Sequence, residues 1–377
     1  METNFSCCNT SDNVDKSLTP GRIIIGTFLV LITSFTVFGN ILVLVAVKRE
    51  KQLQTKFNTY IVNLAVTDLT VALSAMSFYT ADNILGYWPF GKFLCGVWIF
   101  NDYGMTFASV FTIIVISIDR FWAVTWPNHY KNHHTKKKCA VSIAIIWICM
   151  VVLWLPSCIV DRLSHADIDG SVCIWDPALN QKFVIVIAII GHHGSFFVIL
   201  FCYIRVFYTL RTRNRISRRI RPALVTVNNL SVIYPSTIET KVSSPETKYD
   251  DLSSQEITGD HLKPGNVRKN SNSGSTGAHA TTSKSEQTES EKKTHVSTRD
   301  RRAFVTLTYI IIGYVVCWFP FHIVFDVSAV KPDAVSQTVY LITFWLTYIN
   351  STINPFLYNF SNPEFRKAFK KILLRRK

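Results

Sequence analysis

The chain has 377 residues, a net charge of +15 and 48% hydrophobic residues. A chain of this length could form two soluble domains, and a charge of this size could indicate that the protein binds nucleic acid. The apolar residues, however, are gathered into long blocks, and the basic residues lie in alternate connections between those blocks. This distribution argues against both possibilities, and we expect a membrane protein that binds no nucleic acid.

Seven mainly apolar blocks are each long enough to cross about 30 Å of hydrocarbon as a helix. One such block could be a buried core helix of a soluble protein, but seven in one chain argue against that alternative. The sequence therefore predicts an all-α membrane protein with a bundle of seven transmembrane helices. The predicted spans are residues 22–47, 57–82, 94–124, 139–160, 182–209, 302–326 and 336–358.

Basic residues cluster after the first, third, fifth and seventh spans, whereas the connection between the fourth and fifth spans is acidic. Such basic clusters mark the cytoplasmic side of membrane proteins. We therefore expect a multi-pass plasma-membrane protein with an extracellular N-terminus and a cytoplasmic C-terminus. The sequons at Asn4 and Asn9 would then be accessible to glycosylation.

The composition also divides the chain into segments. Residues 211–300 are rich in Ser, Thr, Lys, Glu and Asn and have too little apolar surface to fold, so they predict a long, mostly disordered third cytoplasmic loop. The remaining segments are an extracellular N-terminus (1–21), the first five transmembrane helices with their loops (22–210), the sixth and seventh helices (301–358), and a short amphipathic cytosolic helix with the C-terminal tail (359–377).

Most cysteines lie within the spans, but Cys95 begins the third span and Cys173 lies in the acidic outer loop. An oxidising exterior favours a disulfide between them, which would hold that loop over the bundle. Cys7 and Cys8 are adjacent near the N-terminus, and the sequence assigns them no partners.

Two aspartates, Asp68 and Asp102, lie inside predicted spans, where a charge costs about 3 kcal/mol or more. Asp102 and Ser109 share one face of the third span, and Arg120 returns to that face at the cytosolic end. Asp119 precedes Arg120 and could pair with it. Because an intramembrane carboxylate needs a cation or a proton, we expect both of these aspartates to be functional.

Several short motifs occur in a fixed order across the seven spans: "GNILV", "NLAVTD", Cys95 with Cys173, "DRF" at 119–121, Trp147, "CWFP" at 317–320 and "NPFLY" at 354–358. In these motifs the chain resembles the rhodopsin-like (class A) G-protein-coupled receptors. The resemblance implies a receptor without catalytic residues that signals to a heterotrimeric G protein and meets receptor kinases and arrestin. One departure is Ser195, which stands where the family usually has a proline.

Within that family, Asp102 resembles the residue that binds the ammonium group in aminergic receptors, which implies a small cationic amine neurotransmitter as ligand. The chain looks most similar to muscarinic acetylcholine receptors, with histamine receptors close behind, although His322 replaces the muscarinic asparagine. Serotonin and tyramine-like amines stay open, whereas Ile187, Ala188 and Gly191 lack the serine hydroxyls that meet catecholamines. The expected ligand-binding residues are Asp102, Tyr103, Thr106, Trp154, Trp318, Phe321, His322, Trp345 and Tyr348.

In such a site, Tyr103, Trp318, Phe321, Trp345 and Tyr348 could form an aromatic box around a cation held by Asp102. A quaternary ammonium group would suit that box, because it has no N–H to donate.

The resemblance implies two further sites that respond to the ligand. In the resting state Arg120 would pair with Asp119 and Asp300, and Tyr203 and Tyr358 would stabilise it once it is freed. The switch and coupling residues are Asp119, Arg120, Tyr203, Asp300, Asn354, Pro355 and Tyr358. The second site is an allosteric sodium pocket, apart from which no cofactor or metal is expected. Its residues are Asp68, Ser109, Asn350, Ser351 and Asn354.

Two other classes of membrane protein also place functional polar residues inside spans. An amine transporter would show repeated halves or paired interrupted helices, and the sequence has neither. An intramembrane hydrolase would need a nucleophile with a base, or a metal site. His192 and His193 are the only histidine pair in a span, and they have no acidic partner nearby in sequence, so we expect them to pack or to line a pocket.

Overall fold

The structure is a computed structural model that describes residues 19–164, 170–173, 175, 181–233 and 279–374. The glycosylation sequons and the two N-terminal cysteines considered above lie outside the described residues, as does the middle of the third cytoplasmic loop.

Within the described residues, seven long helices follow one another in chain order, and we label them α1 to α7. They are α1 (Pro20–Arg49), α2 (Asn58–Leu85), α3 (Gly91–Thr125), α4 (Lys136–Ser164), α5 (Gln181–Ile187, Ala188–Gly194 and Ser195–Ile233), α6 (His279–Val330) and α7 (Gln337–Ser361). Two shorter α-helices, Pro127–His133 and Pro363–Leu373, follow α3 and α7.

Six of these helices, α1 to α6, are long and apolar enough to cross a membrane by length and composition. The seventh, α7, has 25 residues and carries several polar side chains. Thr343, Thr347, Asn350, Ser351 and Asn354 are all buried, so the residues that lower its hydropathy face the protein interior. At 1.5 Å per residue α7 is ~37 Å long, enough to span the hydrocarbon layer.

The outer surface of the bundle is apolar, as a lipid-facing surface must be. Ile24 on α1 is 70% exposed, and Val152 on α4 and Phe197 on α5 are each 66% exposed. Soluble proteins rarely expose apolar side chains in such continuous patches. Polar residues such as Asn40 and Asp68, in contrast, are fully buried between helices. This inverted distribution agrees with a membrane-embedded bundle.

The helix predicted after the seventh span is present as Pro363–Leu373. Asn362 caps it, because its side-chain oxygen accepts a 2.9 Å hydrogen bond from the Glu364 N–H, and Pro363 occupies the favoured first position. Phe365 and Phe369 are buried at helical spacing, whereas Lys370 and its neighbour lie toward solvent. The amphipathic prediction is confirmed.

The structure describes only the two ends of residues 211–300, so it does not test the prediction that this loop is mostly disordered. Helix α5 continues to Ile233, and α6 already begins at His279, so both ends of this segment are helical. Extending an existing helix adds one hydrogen bond per ordered residue without a new nucleation cost, which composition alone does not register. Residues 234–278 lie outside the described residues.

Helix α5 contains a π-helical turn, Ala188–Gly194, directly before Ser195. The Ser195 hydroxyl lies within hydrogen-bond distance of the Gly191 carbonyl oxygen and 2.9 Å from that of His192. It also lies 2.9 Å from the Tyr314 hydroxyl of α6. Such back-bonding of serine bends helices, and π turns are frequent at functional sites. The widened turn therefore forms without a proline, and Ser195 links α5 to α6.

Removing this hydroxyl by Ser195→Ala should lower the free energy of unfolding by about 1–3 kcal/mol, because the buried Tyr314 hydroxyl loses its partner. Tyr314→Phe alone should have a similar effect, and the double variant should be no worse than Ser195→Ala, as expected for one shared hydrogen bond. Thermal unfolding of the solubilised receptor measures these differences.

Thr209→Ala is the matched control, since it removes only the exposed hydrogen bond from Thr209 to the Arg205 carbonyl on the same helix. It should change stability by less than about 0.5 kcal/mol. Additive losses in the double variant would contradict the proposed link between α5 and α6.

Candidate functional site

Asp102 lies on α3 with only 1% of its surface exposed. Its Oδ1 accepts a 2.7 Å hydrogen bond from the Tyr348 hydroxyl of α7. Its Oδ2 is buried and has no hydrogen-bond partner within the described chain. A buried carboxylate with an unpartnered oxygen is costly until a proton or a cation completes it. This oxygen is therefore open to a hydrogen bond or an ion pair with a cation.

A cavity adjoins Asp102 and is lined from α3, α4, α5, α6 and α7. Six of the nine predicted ligand-binding residues line it, namely Asp102, Tyr103, Thr106, Trp154, Trp318 and Phe321. Six lining residues were not among those predicted, namely Phe107, Ile187, His192, Phe325, Phe344 and Thr347. The aromatic rings among them make the cavity walls largely apolar around one carboxylate.

The other three predicted ligand-binding residues do not line the cavity. Tyr348 lies behind the cavity wall, where its hydroxyl donates to Asp102 and its ring packs edge-on against Phe344 at a centroid distance of 5.1 Å. Trp345 stacks on Tyr79 of α2 with ring centroids 5.6 Å apart, and therefore packs between helices. His322 lies behind the wall, stacked on His192 at a centroid distance of 4.1 Å. The predicted aromatic box is thus incomplete on the α7 side, where Phe344 takes the place expected for Trp345.

The structure has a disulfide between Cys95 at the start of α3 and Cys173. Two residues further, Trp175 is 6% exposed and lies over the cavity wall. Its ring centroid is 5.1 Å from that of Tyr103 and 6.0 Å from that of Phe325. The disulfide therefore holds a tryptophan against the cavity. Sequence reasoning missed Trp175, although its proximity to a bridging cysteine was a usable signal.

His192 and His193 have an acidic partner that is remote in sequence. Asp326 of α6 places Oδ1 at 3.4 Å from His192 Nδ1 and Oδ2 at 3.0 Å from His193 Nε2. The His192 side chain is 2% exposed and lines the cavity, whereas that of His193 is 56% exposed. The expectation of pocket lining therefore fits His192, and its carboxylate neighbour comes from a helix that is remote in sequence.

Asp68 of α2 is fully buried and accepts three hydrogen bonds. Ser109 and Ser351 donate to Oδ1 at 3.0 and 2.8 Å, and the Asn354 side-chain amide donates to Oδ2 at 2.8 Å. Asn350 is also buried but makes no hydrogen bond to Asp68. Four of the five residues predicted for the sodium pocket are therefore joined through one carboxylate.

Pro355 follows Asn354 in α7 and lies against α1. A Cβ on Gly39 of α1 would be only 2.9 Å from the Pro355 ring, so this glycine allows the two helices to approach. Asn40 next to it donates a 3.2 Å hydrogen bond to the Ser351 carbonyl oxygen. These contacts fix the part of α7 that carries Ser351, Asn354 and Pro355.

Arg120 lies at the other end of α3 from Cys95 and pairs with Asp119. Arg120 Nε donates to Asp119 Oδ2 at 3.0 Å, and its Nη2 contacts the same oxygen. Tyr130, on the short helix Pro127–His133, donates to Asp119 Oδ1 at 3.1 Å and accepts a 3.1 Å hydrogen bond from Arg120 Nη2. His134 Nε2 lies 3.1 Å from Asp119 Oδ1. Burial raises the pKa of Tyr130, so its hydroxyl stays protonated and can donate.

The tyrosines predicted to meet a freed Arg120 have other neighbours in this arrangement. Tyr203 stacks on Phe304 with ring centroids 5.6 Å apart. Tyr358 is fully buried against Phe365, and its hydroxyl has no hydrogen-bond partner within the described chain. Asp300 lies in α6, but its side chain is outside the described part of the structure. In this arrangement Arg120 is paired with Asp119.

Comparison with known proteins places this geometry in a family. Residues 39–358 match the family described as "7 transmembrane receptor (rhodopsin family)". The chain is 31% identical to the Alpha-1A adrenergic receptor of Bos taurus, over 97% of this chain and 70% of the relative. It is 29% identical to the 5-hydroxytryptamine receptor 1B of Homo sapiens, over 97% of this chain and 90% of the relative. The same receptor of Canis lupus familiaris is 29% identical, over 95% of this chain and 88% of the relative.

These relatives confirm the seven-helix class and are receptors rather than enzymes or transporters. The finer resemblance to muscarinic and histamine receptors finds no support in them. The family match covers well over half of the chain, from the start of the "GNILV" motif to the end of "NPFLY". The protein belongs to the rhodopsin family of seven-transmembrane G-protein-coupled receptors.

Proposed function

We propose that this receptor binds a small cationic amine at Asp102 and transmits binding to a heterotrimeric G protein. The observation that carries the proposal is Asp102 Oδ2, a buried carboxylate oxygen without a hydrogen-bond partner in the described chain, on a residue that lines a cavity. An ammonium group would supply both the missing charge and the missing donor. Tyr348 holds the other oxygen and so fixes the orientation of the carboxylate.

An amine with at least one N–H suits this site better than a quaternary ammonium ion. A single N–H can donate a charge-assisted hydrogen bond to Oδ2, whereas a quaternary ion depends on surrounding aromatic faces. Trp345, one of the five residues of the predicted box, packs on Tyr79 instead of lining the cavity. Acetylcholine, slightly preferred from sequence, is therefore less well supported than histamine or another biogenic amine.

The names of the relatives support an amine without choosing one, since they include an adrenergic and a 5-hydroxytryptamine receptor. The positions that correspond to the serines of catecholamine receptors have no hydroxyl groups in this chain, which argues against a catecholamine as the ligand. Ile187 lines the cavity with an apolar side chain, and Gly191 has no side chain to offer a ring hydroxyl. A catecholamine would leave its hydroxyl groups without these partners.

Signalling requires that the cavity communicate with Arg120. Trp318 and Phe321 line the cavity from α6, next to Pro320, which interrupts the helical hydrogen bonding and allows a bend there. An agonist that contacts these rings better when α6 has swung outward shifts the population toward that arrangement. We propose that Arg120 then leaves Asp119 and meets Tyr203 and Tyr358, and that the opened face binds the G protein.

We also propose that sodium binds at Asp68 in the resting state. The oxygens of Asp68, Ser109 and Ser351 are the hard ligands that such a cation prefers. Asn354 Oδ1 is buried without a hydrogen-bond partner within the described chain, so an additional oxygen is available next to this carboxylate. Sodium would hold α2, α3 and α7 together and oppose activation.

The receptor would act in the plasma membrane, with the N-terminus outside and the Arg120 end of α3 inside. The charge distribution supports this orientation, because the connections near Arg120 are basic. Receptor kinases and arrestin would then meet the serine- and threonine-rich third cytoplasmic loop.

Asp102→Asn keeps the side-chain shape and removes the charge, so the potency of every activating amine should fall by about 100-fold or more, since each 1.4 kcal/mol corresponds to tenfold. Nucleotide exchange on purified G protein, measured with histamine, serotonin and tyramine, tests this expectation.

Asp82→Asn is a control, because Asp82 is a carboxylate on α2 that does not line the cavity. The potency of each amine at the Asp82→Asn receptor should stay within about threefold of its potency at the wild-type receptor, a change that corresponds to ~0.7 kcal/mol. Equal potency of every active amine in wild type and Asp102→Asn, at matched surface expression, would remove the amine assignment.

The resting pair makes a separate prediction. Asp119→Asn should raise basal nucleotide exchange several-fold, because it removes the charge that holds Arg120. Tyr130→Phe should raise it less, since it removes hydrogen bonds but leaves the ion pair, and Arg120→Ala should abolish stimulated exchange. Unchanged basal exchange in both Asp119→Asn and Tyr130→Phe would show that this cluster does not restrain activation.

The orientation can be tested with epitope tags. A tag at residue 2 should be labelled on intact cells, and one within residues 260–290 only after permeabilisation. The opposite labelling pattern would reject both the orientation and the proposed direction of signalling.

A further inference from the structure

We infer that His192 recognises the ring of the amine through a hydrogen bond, and that the ligand therefore carries a hydrogen-bond donor on its ring. The inference rests on the proposed function, since it concerns the same cavity as Asp102. It assigns ligand selectivity to a histidine that sequence reasoning treated as packing or pocket lining.

The neighbours of His192 determine which of its ring nitrogens carries the proton and which one can accept a hydrogen bond from a ligand. Asp326 Oδ1 lies 3.4 Å from His192 Nδ1. A carboxylate beside one ring nitrogen favours the tautomer with the proton on that nitrogen. Nε2 is then a hydrogen-bond acceptor on the far edge of the ring. Nδ1 and Asp326 Oδ1 lie near each other but without a hydrogen bond between them, and Nε2 has no hydrogen bond to a described residue, so a ligand donor can use it.

The ring of His192 is held firmly in this orientation. His322 stacks on it at a centroid distance of 4.1 Å and an interplanar angle of 14°. Phe325 packs edge-on at 5.1 Å, and Phe107 lies 6.0 Å away on α3. His192 itself belongs to the π-helical turn of α5, which directs it inward while the adjacent His193 is largely exposed. A preorganised acceptor loses little entropy when a ligand binds.

The other polar side chains that line the cavity offer hydroxyl or indole groups, of which only the hydroxyl oxygens can accept. The Thr106 hydroxyl donates to the carbonyl oxygens of Asp102 and Tyr103. The Thr347 hydroxyl donates to the Phe344 carbonyl oxygen at 2.6 Å. The indole N–H groups of Trp154 and Trp318 can only donate. Within the described lining, the Asp102 carboxylate and the His192 imidazole nitrogen are therefore the strongest acceptors for a ligand, since the hydroxyl oxygens of Tyr103, Thr106 and Thr347 accept hydrogen bonds more weakly.

Two acceptors in one cavity define a class of ligand. The ammonium group would donate to Asp102, and a phenol O–H, an indole N–H or an imidazole N–H would donate to His192. An amine whose ring has no donor leaves a buried acceptor unpaired, and such sites discriminate strongly against ligands that lack the matching group. The ester of acetylcholine has acceptors only and would face His192 without a donor.

Matched ligand pairs test the inference. Tyramine and phenethylamine differ by one ring hydroxyl, and tryptamine and 1-methyltryptamine differ at one ring N–H. At the wild-type receptor the donor-bearing member of at least one pair should be about tenfold more potent in G-protein activation, equivalent to ~1.4 kcal/mol. This potency ratio should fall to about one in His192→Phe, which keeps an aromatic ring and removes the acceptor.

Three further variants separate recognition from a merely structural effect. His192→Gln should retain part of the ratio, because its amide oxygen can still accept a hydrogen bond. Asp326→Asn should lower the ratio, because it removes the charge that favours the Nδ1–H tautomer. His193→Phe is the matched control and should leave the ratio unchanged, since His193 also contacts Asp326 but does not line the cavity.

The potency ratio is measured within each variant, so differences in expression do not affect it. A wild-type ratio near one in both pairs, or a ratio that survives in His192→Phe, would overturn the inference while leaving the amine proposal intact. Failure of every amine to activate the wild-type receptor would overturn the proposed function itself. In Asp102→Asn both members of a pair should lose potency together, with the ratio preserved.

Discussion

The buried, half-satisfied carboxylate of Asp102 is the constraint on which the rest of the receptor depends. The bundle surrounds it with aromatic rings, and only Tyr348 among the described residues donates to its side chain. A charge in such a place destabilises the unliganded protein, and a protein would not keep it for stability. The same arrangement provides a binding site for a cation, because the charge of the cation and its N–H group complete the Asp102 carboxylate.

Helix α3 connects this anion to the cation at its other end. Asp102 lies at the cavity, Ser109 contacts Asp68 about two turns further, and Arg120 is held by Asp119 and Tyr130. Each of these groups is polar, buried or partly buried, and joined to a different neighbouring helix or loop. Ligand, sodium and G protein would therefore act on one continuous helix, which supplies a physical connection between distant sites.

Much of this organisation could be predicted from the sequence because it depends on local pattern. The spans follow from apolar length, and the positions of Asp102, Asp68 and Arg120 follow from charge inside those spans. What could not be predicted depends on contacts between remote segments. Asp326 meets His192 only because α5 and α6 pack together. The chemistry of Trp345 is equally compatible with a cavity wall and with a contact between helices, and only the rotation of α7 decides between them.

The most direct test of the central claim is a structure of the receptor bound to an activating amine. The ammonium nitrogen should lie about 2.7–3.2 Å from Asp102 Oδ2, within hydrogen-bond distance, while Tyr348 keeps its bond to Oδ1. An amine bound elsewhere, or an Asp102 whose second oxygen is satisfied by a protein donor in the bound state, would contradict the claim that the ligand completes this carboxylate.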